Sequence, residues 1–556
     1  MPRRPDIALR LASARLGWRK VRIAAFDLGS NSFHLLVADA HPDGSFEAIA
    51  TDKEMLRLGS AVASTGEIGF RLAGMAVEVV KRFAAAAASN RAEEVVACAT
   101  SAFREASDSL AVVERIESEC GVKVRVISGR KEAELIFEAV RASVVIDPPP
   151  ALAMDLGGGS LELMIGDGRA MSWATSLKLG VARLTTELVH SDPPHNDDVS
   201  RVTRVVDRAL ARSVAAINRL DPKAAVVSSG TLETLVALAA WRRDGRVPAS
   251  VNQLSVSSEE LDELRDVLLS MTSSERTSLP GVDSRRADLL PAGAVILSRI
   301  LETLGLKEVI GCEWALREGM ILDAIGRHAR SDWDPDPHLM RRESVVNLCR
   351  RYGWNEEHST KVARLAVELF DGTSRIHELD GQDRELLEFG ALLHDVGEHV
   401  SNDSHEHHSA YLISNGKLRG FSPPEVDVLS CLGRFHKRGS PKASFEPYAR
   451  LDSASRRRVS QLVALLQIAD GLDRSHGGPV REVTVSADDD SIRVVVDADD
   501  DIDLELWGLR RKRDLIEKVF ERTLEVVDLH STATLERTEQ ALSCAGHSTR
   551  GRPCRP

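Results

Sequence analysis

Two stretches, Asp27-Leu28-Gly29-Ser30-Asn31-Ser32 and Asp155-Leu156-Gly157-Gly158-Gly159-Ser160, say nearly the same thing. Each follows an apolar run that reads as a buried strand, Ile23–Phe26 and Ala151–Met154, and each leads into another, Phe33–Ala38 and Leu161–Ile165. A strand, an Asp, a Gly-containing turn with hydroxyls and a return strand together make a phosphate cradle. Glycine lets backbone N–H groups approach an anion, Ser adds donors, and the carboxylate holds a cation directly or through water. One such turn alone would merely reverse a hairpin. Two copies, some 128 residues apart from Asp27 to Asp155, predict duplicated half-domains facing each other across a phosphate-binding cleft.

Outward from these turns, residues 21–140 alternate strand and helix signals, with strands at Val95–Ala99 and Val122–Ile127 and helices at Leu72–Ala88 and Leu110–Cys120. Asp147-Pro148-Pro149-Pro150 marks the joint to a second half over 141–328, which repeats the opening. There, strand Ala224–Val227 leads into Ser228-Ser229-Gly230-Thr231, which presents amides to an anion at a helix N-terminus or is an ordinary N-cap. The run Asp332–Pro337 marks a further boundary. From 338 to 478 the pattern is helical. Residues 479–540 switch to strands (Glu482–Val485, Ile492–Val496) and a helix around Leu515–Leu524, forming a small α+β domain. Residues 1–20, with six Arg or Lys and no apolar core, read as a basic extension rather than a secretion signal, and 541–556 as a disordered tail.

Bulk composition narrows the partners. A hydrophobic fraction of 43% and a charged fraction of 28% belong to soluble globular protein, and no apolar run is long enough to span a bilayer. Seven cysteines without paired metal spacing fit reduced thiols in cytoplasm. A net charge of −12 argues against general nucleic-acid binding, so a polyanion must be met by local cations. Arg104, Arg130, Lys131, Lys178 and Arg183 are the candidates.

Hydrolysis of a phosphoanhydride needs an oriented water and a base. Ser128-Gly129-Arg130-Lys131-Glu132-Ala133-Glu134 places carboxylates on the first turn of a helix after a strand. That is ordinary helix charge compensation in isolation, but a candidate base beside two cradles. Thr100-Ser101-Ala102-Phe103-Arg104 likewise ends a strand, with hydroxyls and a guanidinium fork suited to phosphate oxygens.

With these segments on the page, the chain closely resembles the exopolyphosphatase/guanosine pentaphosphate phosphatase (Ppx/GppA) family from about Arg22 to Ile325. The signatures are Asp27–His34, Ser128-Gly129 with Glu132-Ala133, Asp155–Ser160 with Glu162, Ser229-Gly230-Thr231 and Leu316-Arg317-Glu318-Gly319. The resemblance implies two actin-like (sugar-kinase-like) ribonuclease-H-type domains with the active site between them, and a dimer. It also implies release of terminal phosphate from polyphosphate or guanosine pentaphosphate with Mg²⁺. Glu132 maps to the family's catalytic glutamate and Asp155 to its metal- or water-positioning aspartate, with Arg104 completing the catalytic set. Asp27 and Glu162 join Asp155 as candidate Mg²⁺ ligands. Substrate contacts are assigned to Gly29, Ser30, Asn31, Ser32, Thr100, Ser101, Gly157, Gly158, Gly159, Ser160, Gly230 and Thr231. Two departures stand out: Lys131, where many relatives have Glu, offers a phosphate contact, and Trp314, where they have a small residue, narrows the cleft.

The helical region carries a second chemistry. His394-Asp395 is an adjacent pair with His358 upstream and Asp470 downstream, and Leu392–Gly397 and Ala469–Asp473 resemble HD-type metal phosphohydrolases. Imidazole with carboxylate suits Mn, Fe, Zn or Mg. His358, His394, Asp395 and Asp470 form one candidate site, which His408 and His436 extend to two ions. His405 shares a face with His408 if the segment is helical. Against this, Asp403–His408 also reads as a solvated polar turn.

The leading expectation is a cytoplasmic hydrolase that removes terminal phosphate with Glu132 as base. The alternatives are an HD-domain nucleotide phosphohydrolase and a polyphosphate- or nucleotide-sensing regulator with weak turnover.

Overall fold

A computed structural model describes residues 20–41, 45–328, 337–498 and 502–529. The basic extension other than Lys20, residues 332–336 of the acidic boundary and the C-terminal tail lie outside the described residues. The described chain forms two compact units. One contains residues up to Met340 with Arg419–Pro423, and the other Arg341–Leu418 with the residues from Pro424 onward.

The first unit opens with β1 (Val21–Leu28), β2 (Ser32–Ala40), β3 (Phe46–Met55), α1 (Leu58–Thr65), α2 (Phe70–Ser89), β4 (Glu94–Ala99), α3 (Ser101–Glu105), α4 (Ser109–Cys120), β5 (Val124–Val126) and α5 (Gly129–Ser143). Its second half holds β6 (Ala151–Leu156), β7 (Leu161–Gly166), β8 (Met171–Leu177), α6 (Val181–Leu188), α7 (Asn196–Leu210), α8 (Val214–Leu220), β9 (Ala224–Ser228) and α9 (Gly230–Asp244). It ends with β10 (Ser255–Ser257), α10 (Ser258–Ser270), α11 (Ser273–Thr277), α12 (Leu290–Leu304), β11 (Glu308–Gly311) and α13 (Leu316–His328).

The duplication inferred from the turns is a duplication of topology. The first sheet runs β3-β2-β1-β4-β5 and the second β10-β11-β9-β6-β7-β8. In each, an antiparallel three-strand meander joins two parallel strands through its first strand. This is the ribonuclease-H-type, actin-like arrangement, twice over. The central strands are apolar without alternation because helices cover both faces: β6 and β7 are buried at every residue.

Three apolar clusters follow. One packs β1, β2 and β4 under α1, α2 and α4, and another packs β6, β7 and β9 under α6–α10 and α12. The third is shared. Ile23, Ala25 and Leu36 of the first sheet and Ala153, Met164 and Val226 of the second meet Ile136, Phe137 and Val140 of α5 and Met320, Ile321 and Ala324 of α13. Helix α13 falls in the sequence interval 141–328, yet it packs against α5, β1 and β2 of the first half.

The second unit contains α14 (Pro337–Arg351), α15 (Glu356–Gly372), α16 (Gly381–Leu393), a 3₁₀ turn (Val396–His399), α17 (His405–Ser414), α18 (Pro423–Phe435), α19 (Glu446–Arg450) and α20 (Ser453–Gly471). Then come β12 (Val480–Ala487), β13 (Ser491–Ala498), α21 (Asp503–Phe520) and β14 (Thr523–Asp528), with β13 central in a three-stranded sheet. The helix expected to run to Leu524 stops at Phe520. Glu521 takes a left-handed conformation (φ 55°), and Thr523–Asp528 becomes a strand parallel to β13. The apolar residues Leu524, Val526 and Val527 fit either period over so short a stretch, and pairing with Ile492, Val494 and Val495 decides it.

Candidate active site

The two turns are built alike to the residue. Asp27 pairs across its hairpin with His34, and Asp155 pairs with Glu162. A helix start buttresses each turn from behind. Gly59 of α1 donates its N–H to the Ser30 carbonyl (2.7 Å), and Val181 of α6 donates to the Gly157 carbonyl (2.9 Å). Where the two turns come closest, their backbones are in contact. An ideal Cβ on Gly158 would lie 2.7 Å from Cβ of Asn31, and one on Gly159 would lie 2.7 and 2.8 Å from the hydroxyls of Ser101 and Ser30. Only glycine permits that approach. Ser30 Oγ also accepts the Ala102 N–H (2.9 Å), tying the start of α3 to the first turn.

Among the other expected contacts, Gly29 lies against the Ser32 carbonyl, Ser32 Oγ pairs with His34 Nε2 (2.7 Å), and Ser101 Oγ donates to Glu105 (3.0 Å). Thr100 precedes α3 at its N-cap position without a side-chain capping bond, and Thr100, Ser160 and Thr231 are buried. At Gly230 the Nη1 of Arg286 occupies the place a side chain would take, 1.6 Å from an ideal Cβ. Before it, Ser229 holds φ 86° and ψ 146°, a backbone region that only glycine populates freely, with its hydroxyl buried and without a hydrogen-bond partner.

Glu132 stands on the buried stripe of α5, in step with Leu135, Ile136, Ala139 and Val140. A carboxylate therefore occupies a core position, 7% exposed. Ser128 caps the helix by accepting the Lys131 N–H. Arg104 meets Glu132 Oε2 through Nη1 at 2.6 Å and also donates to the Ile127 carbonyl. Burial pushes Glu132 up to about 7, against the pull of Arg104.

Asp155 accepts the Ser228 hydroxyl (2.8 Å), and burial raises it to about 6. Asp27 is raised to about 8 by burial, with Arg317 opposing and Glu132, Asp155 and Glu318 adding repulsion. Glu162, which accepts from Ser176 Oγ (2.7 Å), is driven well above the usual carboxylate range by burial, Glu132 and Asp155. Four carboxylates, with Glu132, Asp155 and Glu162 buried and Asp27 partly so, thus share one electrostatic neighbourhood, and Oδ1 of Asp27 and of Asn31 are buried without hydrogen-bond partners. Hard anionic oxygens short of positive charge are the donor set for Mg²⁺, so these residues fit the cation that the resemblance implies.

The cations divide differently from the sequence expectation. Arg130 pairs with Glu134, Lys131 with Asp323, and Lys178 and Arg183 both with Glu105. Lys131 is thereby tied to α13, and Trp314 stacks on Phe46 (4.7 Å) as part of the shared core. A second group, which only the fold assembles, lies by the paired turns. Arg317 reaches His34 Nδ1 (3.4 Å), and its charge acts on Asp27. His34 is held well below its ordinary value by burial and Arg317. Lys53 is lowered to about 8 by burial and by Arg286, Arg285 and Arg317. Beside it an open hollow of about 450 Å³ is lined by Met55, Leu56, Arg57, Arg71, Leu72 and Arg285. No periodicity marks these residues; the Arg285-Arg286 doublet in a polar loop was the available signal.

In the helical unit, His358, His394, Asp395, His405 and His436 converge. His394 Nε2 lies 3.2 Å from Asp395 Oδ2, and His405 and His436 lie 3.1 and 3.2 Å from Asp395 Oδ1. Asp470 Oδ1 is 3.8 Å from His394. His408 is corrected by this geometry. His405, three residues earlier on α17, faces the cluster, while His408 is half-exposed and outside it.

Residues 36–328 match the Ppx/GppA phosphatase family, and residues 340–513 match domain III of Ppx/GppA phosphatases. Exopolyphosphatase 1 of Mycobacterium leprae (strain TN) is 36% identical over 310 residues, covering 56% of this chain and 91% of that protein. Exopolyphosphatase 1 of Mycobacterium tuberculosis (strain ATCC 25618 / H37Rv) is 35% identical over 313 residues, covering 56% and 90%. The crystal structure of an exopolyphosphatase from Cytophaga hutchinsonii ATCC 33406 superposes with a TM-score of 0.52 at 29% identity, covering 55% of this chain and 98% of that one. The duplicated sheets, the paired turns and the family match over both units lead to one conclusion: the chain belongs to the Ppx/GppA phosphatase family and is a hydrolase of phosphoanhydrides.

Proposed function

We propose that this enzyme is an exopolyphosphatase that releases terminal phosphate from inorganic polyphosphate, with Glu132 as the base. The observation that carries the reading is Glu132 itself, a carboxylate on the core stripe of α5, held near 7 beside the paired turns. A base works best with a pKa near the operating pH.

Asp27, Asp155 and Glu162 are the residues that would hold Mg²⁺, whose charge offsets that of the phosphoryl oxygens when it is bound. The turn residues Gly29–Ser32 and Gly157–Ser160, with Thr100, Ser101, Gly230 and Thr231, supply N–H and O–H donors to the terminal phosphate. Arg104 presents its guanidinium to a phosphoryl oxygen while orienting Glu132. A water in line with the P–O–P bond gives its proton to Glu132 as its oxygen joins phosphorus. The bridging P–O bond breaks, the shortened chain leaves as the phosphate anion, and inorganic phosphate is released.

An acidic protein needs local cations for such a substrate. Arg317, Arg286, Lys53, Arg285, Arg57 and Arg71 are the group this reading assigns to the chain beyond its terminal phosphate, and this favours polyphosphate over guanosine pentaphosphate. A cytoplasmic setting is in keeping with Cys98, Cys120, Cys312, Cys349 and Cys431, all free thiols. Among the described residues no helix is long and apolar enough to cross a membrane. The family resemblance adds a homodimer, which light scattering checks.

The deciding experiment is phosphate release from polyphosphate and from guanosine pentaphosphate with Mg²⁺, for wild type and Glu132→Gln. A preference for polyphosphate that Glu132→Gln abolishes is expected. A preference for the guanine nucleotide overturns the substrate assignment, and full activity in Glu132→Gln overturns the base.

A further inference from the structure

We infer that the helical unit carries a two-ion transition-metal centre bridged by Asp395, with chemistry separate from the Mg²⁺ site. The argument starts from where the imidazole protons lie. His394 Nδ1 hydrogen-bonds the Ala391 carbonyl (2.7 Å), His405 Nδ1 the Asn402 carbonyl (3.2 Å) and His436 Nδ1 the Gly433 carbonyl (2.9 Å). His358 Nδ1 bonds the Asp473 carboxylate (2.8 Å). Carbonyl and carboxylate oxygens accept, so each Nδ1 carries a hydrogen, which leaves Nε2 as the nitrogen able to offer a lone pair to an ion. All four Nε2 atoms point inward.

They do so in two pairs. His358 and His394 bring their Nε2 atoms to 3.2 Å, and His405 and His436 bring theirs to 3.1 Å. Two lone pairs at that distance repel unless a positive charge lies between them. Two nitrogens each ~2.1 Å from one ion stand ~3.0–3.4 Å apart at angles from 90° to tetrahedral, which matches both pairs. Asp395 divides its carboxylate between them. Oδ2 lies 3.2 Å from His394 and 3.5 Å from His358, and Oδ1 lies 3.1 and 3.2 Å from His405 and His436. One carboxylate with an oxygen on each side is a bridge.

The surroundings hold this geometry. His358, His394 and His436 are 0–1% exposed, so their orientation is set by packing. Asp470 turns Oδ1 toward the first pair, 3.8 and 3.9 Å away, while Lys512 pairs with its Oδ2. Acceptors on the outer nitrogens of ligating histidines fix ring orientation in the same manner. Imidazole and carboxylate together select Mn, Fe or Zn. With three or four protein donors per ion, positions remain for oxygen ligands, as in centres that bind water or an oxyanion rather than closed structural sites.

The test uses the full chain, purified without chelator and reconstituted with Mn²⁺, Fe²⁺ or Zn²⁺. Metal content is compared with that of His394→Ala/His436→Ala, so that an ion in the Mg²⁺ site cancels. A difference of two ions per chain is expected, with His405→Ala losing one and His408→Ala losing none. Circular dichroism confirms that the variants are folded. Independently of any variant, paramagnetic resonance of the Mn²⁺-loaded wild type should show exchange coupling between ions ~3.5–4 Å apart, perturbed by added inorganic phosphate. No metal after reconstitution would mean that a proton, not an ion, joins each pair, and the inference falls. It falls equally if only isolated-ion signals appear, or if His408→Ala loses as much metal as His405→Ala.

Discussion

Glu132→Gln should make the protein more stable while nearly abolishing its activity. Burial holds the Glu132 carboxyl at about 7 instead of its ordinary 4.5. A carboxyl raised on folding destabilises the native state above its unfolded value, because the folded chain must then keep a charge where it is poorly solvated. Over this interval the cost reaches about 3 kcal/mol at neutral pH. Gln has the same shape, its amide oxygen can still accept from Arg104, and it carries no charge to desolvate. In EDTA, where no cation offsets the carboxylates, the variant should therefore gain at most about 3 kcal/mol in denaturant unfolding of the first unit. The sign has a pH signature. The gap between variant and wild type is closed below about pH 4.5, opens as pH rises, and is full just above about pH 7. Catalysis moves the other way. Loss of a positioned base costs ~10²–10⁴-fold in kcat, which is about 2.7–5.5 kcal/mol of barrier. Phosphate release under saturating Mg²⁺ and urea titrations at about pH 5 and pH 8 measure both effects. A folded variant with kcat within tenfold of wild type, or a stability gap equal at both pH values, refutes the reasoning.

Asp155→Asn and Asp27→Asn should each raise the Mg²⁺ concentration for half-maximal activity, Asp155→Asn more severely, since an amide lacks the anionic oxygen that the cation prefers; an unchanged Mg²⁺ titration in both removes them from the metal site. Ser229→Gly should stabilise the first unit by about 1 kcal/mol by relieving its backbone conformation, while Ser229→Val should destabilise it, and a Gly variant less stable than wild type contradicts the strain. KM should fall with polyphosphate length and rise with ionic strength, because exposed ionic contacts are screened. Arg57 and Arg285 pair with Asp288 and Asp283 and would exchange those partners for phosphate, so Arg57→Ala/Arg71→Ala/Arg285→Ala should erase the length dependence with little change in kcat; a flat KM against length in the wild type rejects the threading of the chain.

The parts of the fold that were legible in the sequence are those whose information is local. The twin Asp-x-Gly turns announce their hairpins through adjacent strands, and the Asp27↔His34 and Asp155↔Glu162 registers follow from turn length. Glu132 was visible because cap, helix and carboxylate lie within five residues. The positive group was not: Arg317 stood in a quoted motif without a role, and Lys53 and Arg286, from a strand and a loop, meet it only through tertiary structure. Of the five cations chosen from sequence, Arg104, Arg130 and Lys131 follow strand ends, but carboxylates claim all five: Glu132, Glu134, Asp323 and, for both Lys178 and Arg183, Glu105. His405 and His408 sit one turn apart on α17, so periodicity alone could not say which faced His436. Likewise the contact between Gly158 and Asn31 depends on how the two sheets dock, which no local pattern encodes.

The return of α13 to the first sheet bears on how the chain can be made. Leu316, Met320, Ile321, Ala324 and Ile325 complete a core that begins at Ile23, nearly three hundred residues earlier. During synthesis, the first half emerges with α5 and the apolar surface of β1 and β2 still awaiting their cover. A ribosome adding ~5–20 residues per second leaves that surface open for ~10–40 s before Leu316–Ile325 is available. Until then the first half presents that apolar surface, and a chain that ends before Leu316 would leave it uncovered.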